Sequence, residues 1–221
     1  MNSSDLFDLS HTRARPLFDQ MTRPWEVLPL LGEFLLELGP RLGPDYEQIL
    51  PGVWVGKTTV VHPSAVLQGP VVIGQDCEVR PGAFVRPGVL AGDGCVLGHA
   101  SEFKNCVLFD GVQAPHFNYV GDSVLGWMVH LGAGVIASNF KAGGGEVAVF
   151  WEGERVFTSL TKLGVLAGDE ADVGSQAVLN PGVILGRGSV VYPLVSVRGT
   201  VPALTIVKTA DRSSWVIKRI N

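Results

Sequence analysis

At 221 residues the chain is long enough to bury a sizeable core in one domain and short for two. Apolar residues at 46% against charged residues at 17% exclude a disordered chain, and 28 glycines imply a backbone that turns often, as in many short strands. A formal net charge of −4 offers no general basic field for nucleic acid or an anionic membrane, so any phosphate must be held locally.

The chain opens on MNSSDLFDLS, which has neither a basic flank nor an apolar run, and no stretch of about 18 apolar residues follows. With three cysteines and no C-x-x-C pair, this predicts a cytoplasmic protein without a disulfide scaffold, a structural zinc or a membrane anchor. Residues 1–50 read as an N-terminal helical arm or cap. Leu30, Leu31, Phe34, Leu35 and Leu38 share one helical face that Gly39-Pro40 ends, and the expected role of this helix is to close an end of the main body.

From Val55 a period of six takes over. Val55, Val61, Leu67, Ile73, Val79, Val85, Ala91, Leu97 and Phe103 are all apolar, and each is followed four residues later by a small residue or valine, from Thr59 to Val107. The phase slips by one to Leu108, Ala114 and Val120, slips again to Leu125, Leu131 and Ala137, and returns as Ala167, Val173, Leu179, Leu185, Val191 and Val197. A period of six fits neither a single strand nor a helix, so the chain must turn once per six residues and coil into a solenoid of stacked short strands. Three sixes make an 18-residue coil, which places residues 51–204 in an all-β solenoid and residues 205–221 in a C-terminal tail whose Arg212, Lys218 and Arg219 read as a solvated face. Residues 142–162 break the repeat. Their two apolar runs around Glu152-Gly153 predict an inserted hairpin projecting from the solenoid.

Residues 18 apart, or 17 across a slip, should lie above one another. Arg86 and Lys104 then stand one strand spacing apart on one face, an arrangement that costs energy unless an anion lies between them or the two side chains point apart into solvent. Glu102 and Tyr119 stack beside them, and so do His99 and His116. A histidine near a cation pair is a candidate general base. Cys77 and Cys95, also 18 apart, read as core residues.

Four segments carry a family resemblance: Arg86-Pro87-Gly88, Glu102-Phe103-Lys104, Pro115 through Asp122, and Gly132 through Phe140. With the hexapeptide period they resemble the left-handed parallel β-helix acyltransferases, and in particular the C-terminal acetyltransferase half of the bifunctional glucosamine-1-phosphate acetyltransferase/N-acetylglucosamine-1-phosphate uridyltransferase. The resemblance implies left-handed coils, a homotrimer and acetyl-CoA as co-substrate, with no metal. It makes His116 the general base and Glu102 a catalytic residue that orients or polarises the histidine region. Arg86, Lys104, Tyr119, Asn139 and His130 become sugar-phosphate ligands, and Ala133, Ser175 and Lys208 line acetyl-CoA. The chain departs from the family pattern at Pro115, His130, Phe140 and Gly145, so a rebuilt sugar pocket is expected, and no uridyltransferase half is expected before residue 50. The expected activity is acyl transfer to an amino sugar phosphate or sugar nucleotide. Two alternatives are a non-catalytic trimeric module that binds such ligands and a γ-carbonic-anhydrase-like metalloenzyme using three of His62, His99, His116 and His130.

Overall fold

The structure is a computed structural model and describes residues 2–208, so Arg212, Lys218 and Arg219 lie outside the described residues. The chain winds into a left-handed parallel β-helix of about nine turns. Its coils stack into three sheets, nine-, eight- and seven-stranded among the described residues, which form the first, second and third faces in the order the chain visits them. The register follows the period. Val85 pairs with Phe103 at a step of 18, Phe103 with Val120 at 17, and the anchors from Val55 to Val197, with Val61 only partly buried, form one interior core shared by the three faces. The last coil is shorter than the period predicts, because Val201 pairs with Leu185 and Val207 with Val191, 16 residues on. The β-helix therefore reaches Val207, into the stretch read as tail. Cys77, Cys95 and Cys106 are buried free thiols in the interior.

The first face differs from the other two. Its strands carry three successive apolar residues, such as Val71–Ile73, Val89–Ala91, Val165–Ala167 and Val183–Leu185. Alternation along a strand sends the outer two of each triplet into the solenoid and the middle one outward, so this face is apolar on both sides and must be covered. The outward residues Trp54, Val72, Leu90, Val107, Val124, Leu166 and Ile184 pack against Leu6, Phe7, Phe18, Trp25, Val27, Leu31 and Leu35 of the N-terminal segment. That segment lies along a side of the prism, whereas the sequence placed it over an end; the apolar column on the first face decides its position. The helix Leu31–Leu38 buries Leu31 and Leu35 and half-buries Phe34 and Leu38, whereas Leu30, expected on the same face, lies just before the helix and is exposed. The helix stops where Gly39 meets Trp54, whose ring comes so close that a Cβ at 39 would lie 2.3 Å from it. At the starting edge of the first face, Tyr46–Leu50 pairs antiparallel with Val53–Gly56 and caps the open strand.

A column of aspartates at the corner between the first and second faces locks the arm in place. Asp93 accepts from Gln75 N at 2.7 Å, Asp110 from Asp93 N at 2.8 Å and Asp169 from Trp127 N at 2.9 Å, so these carboxylates join successive coils. Each also meets the arm: Arg13 forks onto Asp93 at 2.9 and 3.2 Å, His11 lies 3.8 Å from Asp110 and stacks on Trp127, and Asp8 N donates to Asp169 at 2.7 Å. Burial pushes the carboxyl of Asp110 above its ordinary value, with the neighbouring Asp93 charge adding to the shift. A raised folded-state value means that the ionised form costs stability, a cost that grows as pH rises through the unfolded value and is complete above the folded one. Asp110→Asn keeps an acceptor for Asp93 N and removes that charge, so it should be near neutral for stability at pH 7. Asp110→Ala orphans the Asp93 N–H and should cost about 1–3 kcal/mol in urea unfolding.

The insertion enters between the third and first faces, where Ala137 ends one strand and Val165 begins the next. Ala148–Trp151 and Glu154–Phe157 form the antiparallel hairpin, with Glu152 and Gly153, both at positive φ, as its two-residue turn. Val147, Val149 and Leu163 join the outer core of the first face, and Thr200 Oγ1 donates to the Phe150 carbonyl. The first strand of the hairpin is thus seated against the last coils instead of standing free.

Candidate active site

On the third face the strands ending in Val85, Lys104, Gly121 and Ala137 are hydrogen-bonded neighbours, which brings Arg86, Glu102, Lys104, Tyr119 and Asn139 together. Glu102 lies opposite Tyr119 in the ladder, as their spacing predicts. The two cations are neighbours too, but each has a carboxylate of its own. Arg86 Nη1 donates to Glu102 Oε1 at 2.8 Å, and Lys104 Nζ lies 3.3 and 3.2 Å from the two oxygens of Asp122. The anion that the stacked cations require is therefore supplied by the chain itself, so their spacing alone does not call for a phosphate.

Asp122 is the hub of this network and was not singled out from the sequence. Buried at 5% exposure, it also accepts from Asn105 Nδ2 at 2.9 Å and Asn139 Nδ2 at 2.5 Å. Asn139 Nδ2 reaches the Tyr119 hydroxyl at 3.2 Å as well. Gly121 leaves room for that contact, since a Cβ there would come within 2.6 Å of both the Tyr119 hydroxyl and Asn139. Burial raises the Tyr119 phenol above its ordinary value, and the charges of Glu102 and Asp122 add to the shift. The phenol stays protonated at neutral pH, so its oxygen accepts from Asn139 while its O–H is left to donate.

His116 sits around the corner, at the end of Gln113–His116 on the second face and three residues before Tyr119. Backbone hydrogen bonds there run Ala100 N to Pro81 O, Phe117 N to His99 O, Gly134 N to His116 O, Gln176 N to Ala133 O and Leu194 N to Ser175 O. His116, Ala133 and Ser175 therefore occupy successive coils along one edge of the prism, about 4.8 Å apart per coil. The His116 imidazole is exposed, and the apolar tips Phe117 and Leu194 project at the same corner, 57% and 75% exposed. His99 pairs with His116 in the ladder but is differently placed, with Nδ1 2.8 Å from the Pro81 carbonyl and its ring edge-on to Phe117.

Asn118 is a second residue that the sequence reading passed over. It is 3% exposed, its Oδ1 accepts from His116 N at 3.1 Å, and its Nδ2 donates to Gly132 O at 2.8 Å, which fixes the corner that presents His116. The signal available was an amide at an inward repeat position, where a polar group has to be hydrogen-bonded. His130 is not brought to the third face. It lies on the second, with Nδ1 2.8 Å from Asp172 Oδ1. Lys208 is exposed just beyond the last paired strand.

A family profile described as the GMPPB C-terminal domain matches residues 67–156. Similar curated proteins include the bifunctional protein GlmU of Methanococcus maripaludis, 30% identical over 79% of this chain and 43% of its own length. Another is the bifunctional sugar-1-phosphate nucleotidylyltransferase/acetyltransferase of Sulfurisphaera tokodaii, 30% identical over 60% of this chain and 38% of its own. The chain is similar to GlmU proteins, as the motifs from Arg86 to Asn139 predict, and spans less than half the length of these relatives. Similar solved structures include the acetyltransferase domain of PglB from Neisseria gonorrhoeae in complex with acetyl coenzyme A, 20% identical, covering 68% of this chain and 51% of that one, at a TM-score of 0.37. WeeI from Acinetobacter baumannii is 20% identical, covering 81% of this chain and 64% of that one, also at 0.37.

Proposed function

We propose that this hexapeptide-repeat chain transfers an acyl group, acetyl in the first instance, from coenzyme A to the amine of an amino sugar phosphate or sugar nucleotide. The observation that carries this reading is the edge that presents His116, Ala133 and Ser175 in successive coils, around the corner from Arg86, Glu102, Lys104, Tyr119 and Asn139. In this assignment the pantetheine arm runs along the edge past Ala133 and Ser175, where the side chains are small and Phe117 and Leu194 offer apolar contact. Lys208, further along the solenoid, meets a phosphate of the same molecule.

The acceptor amine must be neutral to attack the thioester carbonyl. His116 removes its proton as the carbon–nitrogen bond forms, and returns a proton to the sulfur as the carbon–sulfur bond breaks and the thiol leaves. Glu102, expected to orient the histidine region, accepts from Arg86 and faces Tyr119, so in this assignment it orients the sugar with Tyr119, and Asn139 holds the Tyr119 oxygen. The free N–H groups of Arg86 and Lys104 receive the phosphate, which has to compete with Glu102 and Asp122. His130 reaches the sugar only if a second copy contributes it, which fits a homotrimer with its cleft between subunits.

Release of free thiol from acetyl-CoA tests the reading. Saturable release that needs an acceptor with both an amine and a phosphate is expected, and its absence across amino sugar phosphates and sugar nucleotides would overturn the acceptor class. The pairing of both cations with carboxylates lowers phosphate affinity in either reading, so the same assay separates a catalyst from a non-catalytic binding module. That module would bind the sugar phosphate without releasing thiol.

A further inference from the structure

We propose a second anion site, separate from the Arg86–Lys104 pair, in the cavity between the inserted hairpin and the last coils, and we assign to it the diphosphate group of a small organic ligand. The cavity holds about 240 Å³ and is lined by Lys141, Arg155, Asn180, Arg198, Phe150 and Pro181 among others, with no carboxylate on its wall. Its three cations come from three separate segments: the loop entering the insertion, the returning hairpin strand and the end of the last third-face strand.

Their pairing sets them apart from the cations of the candidate active site. Arg86 and Lys104 each lie against a carboxylate, whereas among the described residues Lys141, Arg155 and Arg198 form no ion pair. Lys141 Nζ is steered by the Glu146 carbonyl at 2.6 Å, and the Arg155 guanidinium lies 4.9 Å over the Phe157 ring. Glu146, the acid nearest Lys141 in sequence, is turned to Ser159 N, and among the described residues Glu152 and Glu154 of the hairpin form no ion pair with Arg155. A chain of net charge −4 thus holds three unneutralised cations around one cavity. That charge matches a terminal diphosphate, of about −3 at neutral pH, better than a single phosphate, and charge-assisted bonds to guanidinium groups are the strong ones. Phe150 and Pro181 give the organic remainder an apolar wall. The hydrogen bond from Thr200 to the Phe150 carbonyl ties the hairpin to the last coil and keeps the cavity formed.

Isothermal titration calorimetry with inorganic pyrophosphate, against orthophosphate and sulfate at equal ionic strength, tests the assignment on the full chain. Saturable pyrophosphate binding is expected, tighter than orthophosphate and weakened by salt. Arg198→Gln and Arg155→Gln should each weaken it by about tenfold or more. All three cations are exposed or half-buried, so the folded state survives their replacement, and an unchanged melting temperature verifies this. Arg86→Gln with Lys104→Gln should abolish at most a separate pyrophosphate-binding event and leave the affinity of the event that depends on Arg155 and Arg198 unchanged, which separates this site from the proposed active site. Undetectable pyrophosphate binding, equal affinity in the Arg155 and Arg198 variants, or loss of that event in the Arg86/Lys104 variant would each overturn the proposal.

Discussion

His116→Ala is expected to lower kcat for acyl transfer by about 10²–10⁴-fold, the usual contribution of a general base, with little change in KM for either substrate. The structure makes this a clean experiment. The imidazole is exposed and buries no core surface, so its removal should leave stability within about 0.5 kcal/mol. The corner is held by backbone groups and by Asn118, whose amide grips His116 N and Gly132 O, and none of those bonds involves the imidazole. Asn118→Ala should therefore imitate the His116 variant from a distance. It leaves the base in place but releases the backbone that aims it, so kcat should fall and the melting temperature should fall with it. His99→Ala is the matched control, because His99 stands one coil below and its Nδ1 is bound to the Pro81 carbonyl. Wild-type rates from the His116 variant would remove the general-base role from His116 and leave acyl transfer to proceed without it.

The interior was legible in the sequence because the solenoid converts one spacing into one column. The anchors from Val55 to Phe103 and the pairings of Glu102 with Tyr119 and of His99 with His116 follow from counting 17 or 18 residues. Counting in sixes, however, tracks only what points inward. The middle residues of the apolar triplets, Val72, Leu90, Leu166 and Ile184, fall between the anchors, and they require a cover along the first face. A triplet apolar at all three positions is itself the mark of a strand buried on both sides, so this signal was present but lay outside the period being followed. The charge partners were harder to read. Stacking arithmetic places Arg86 over Lys104 without saying which way either side chain leans, and only the folded chain shows Glu102 and Asp122 taking them up. The corner aspartates escaped for a similar reason: Asp93 and Asp110 are 17 apart and legible as a column, but their partners Arg13 and His11 come from an arm with no repeat register.

Asp122→Ala should cost about 3–5 kcal/mol, the largest stability loss expected of any polar substitution in the site. The carboxylate is 5% exposed and accepts from Lys104, Asn105 and Asn139, and Lys104 itself is only 24% exposed. Its removal leaves the ammonium unpaired and takes an acceptor from both amides, of which Asn139 keeps the Tyr119 hydroxyl. The backbone adds to the cost, because Asp122 sits at φ 46°, a left-handed conformation that aspartate and asparagine tolerate better than alanine does. Asp122→Asn separates the two effects. It keeps the backbone preference and one acceptor oxygen while removing the charge, so its loss should fall between wild type and alanine. At about 2–4 °C per kcal/mol for a chain of this size, the alanine variant should melt roughly 6–20 °C lower, read by calorimetry or circular dichroism. Adding Lys104→Met to Asp122→Ala should recover part of the loss, since the stranded charge goes with it, and the resulting double-mutant cycle measures the pairing directly. If the asparagine variant melts as low as alanine, charge and not backbone conformation dominates the site. If neither variant melts below wild type, Asp122 does not hold the network together, and the Asn139–Tyr119 contact has to be maintained by the packing of Gly121 alone.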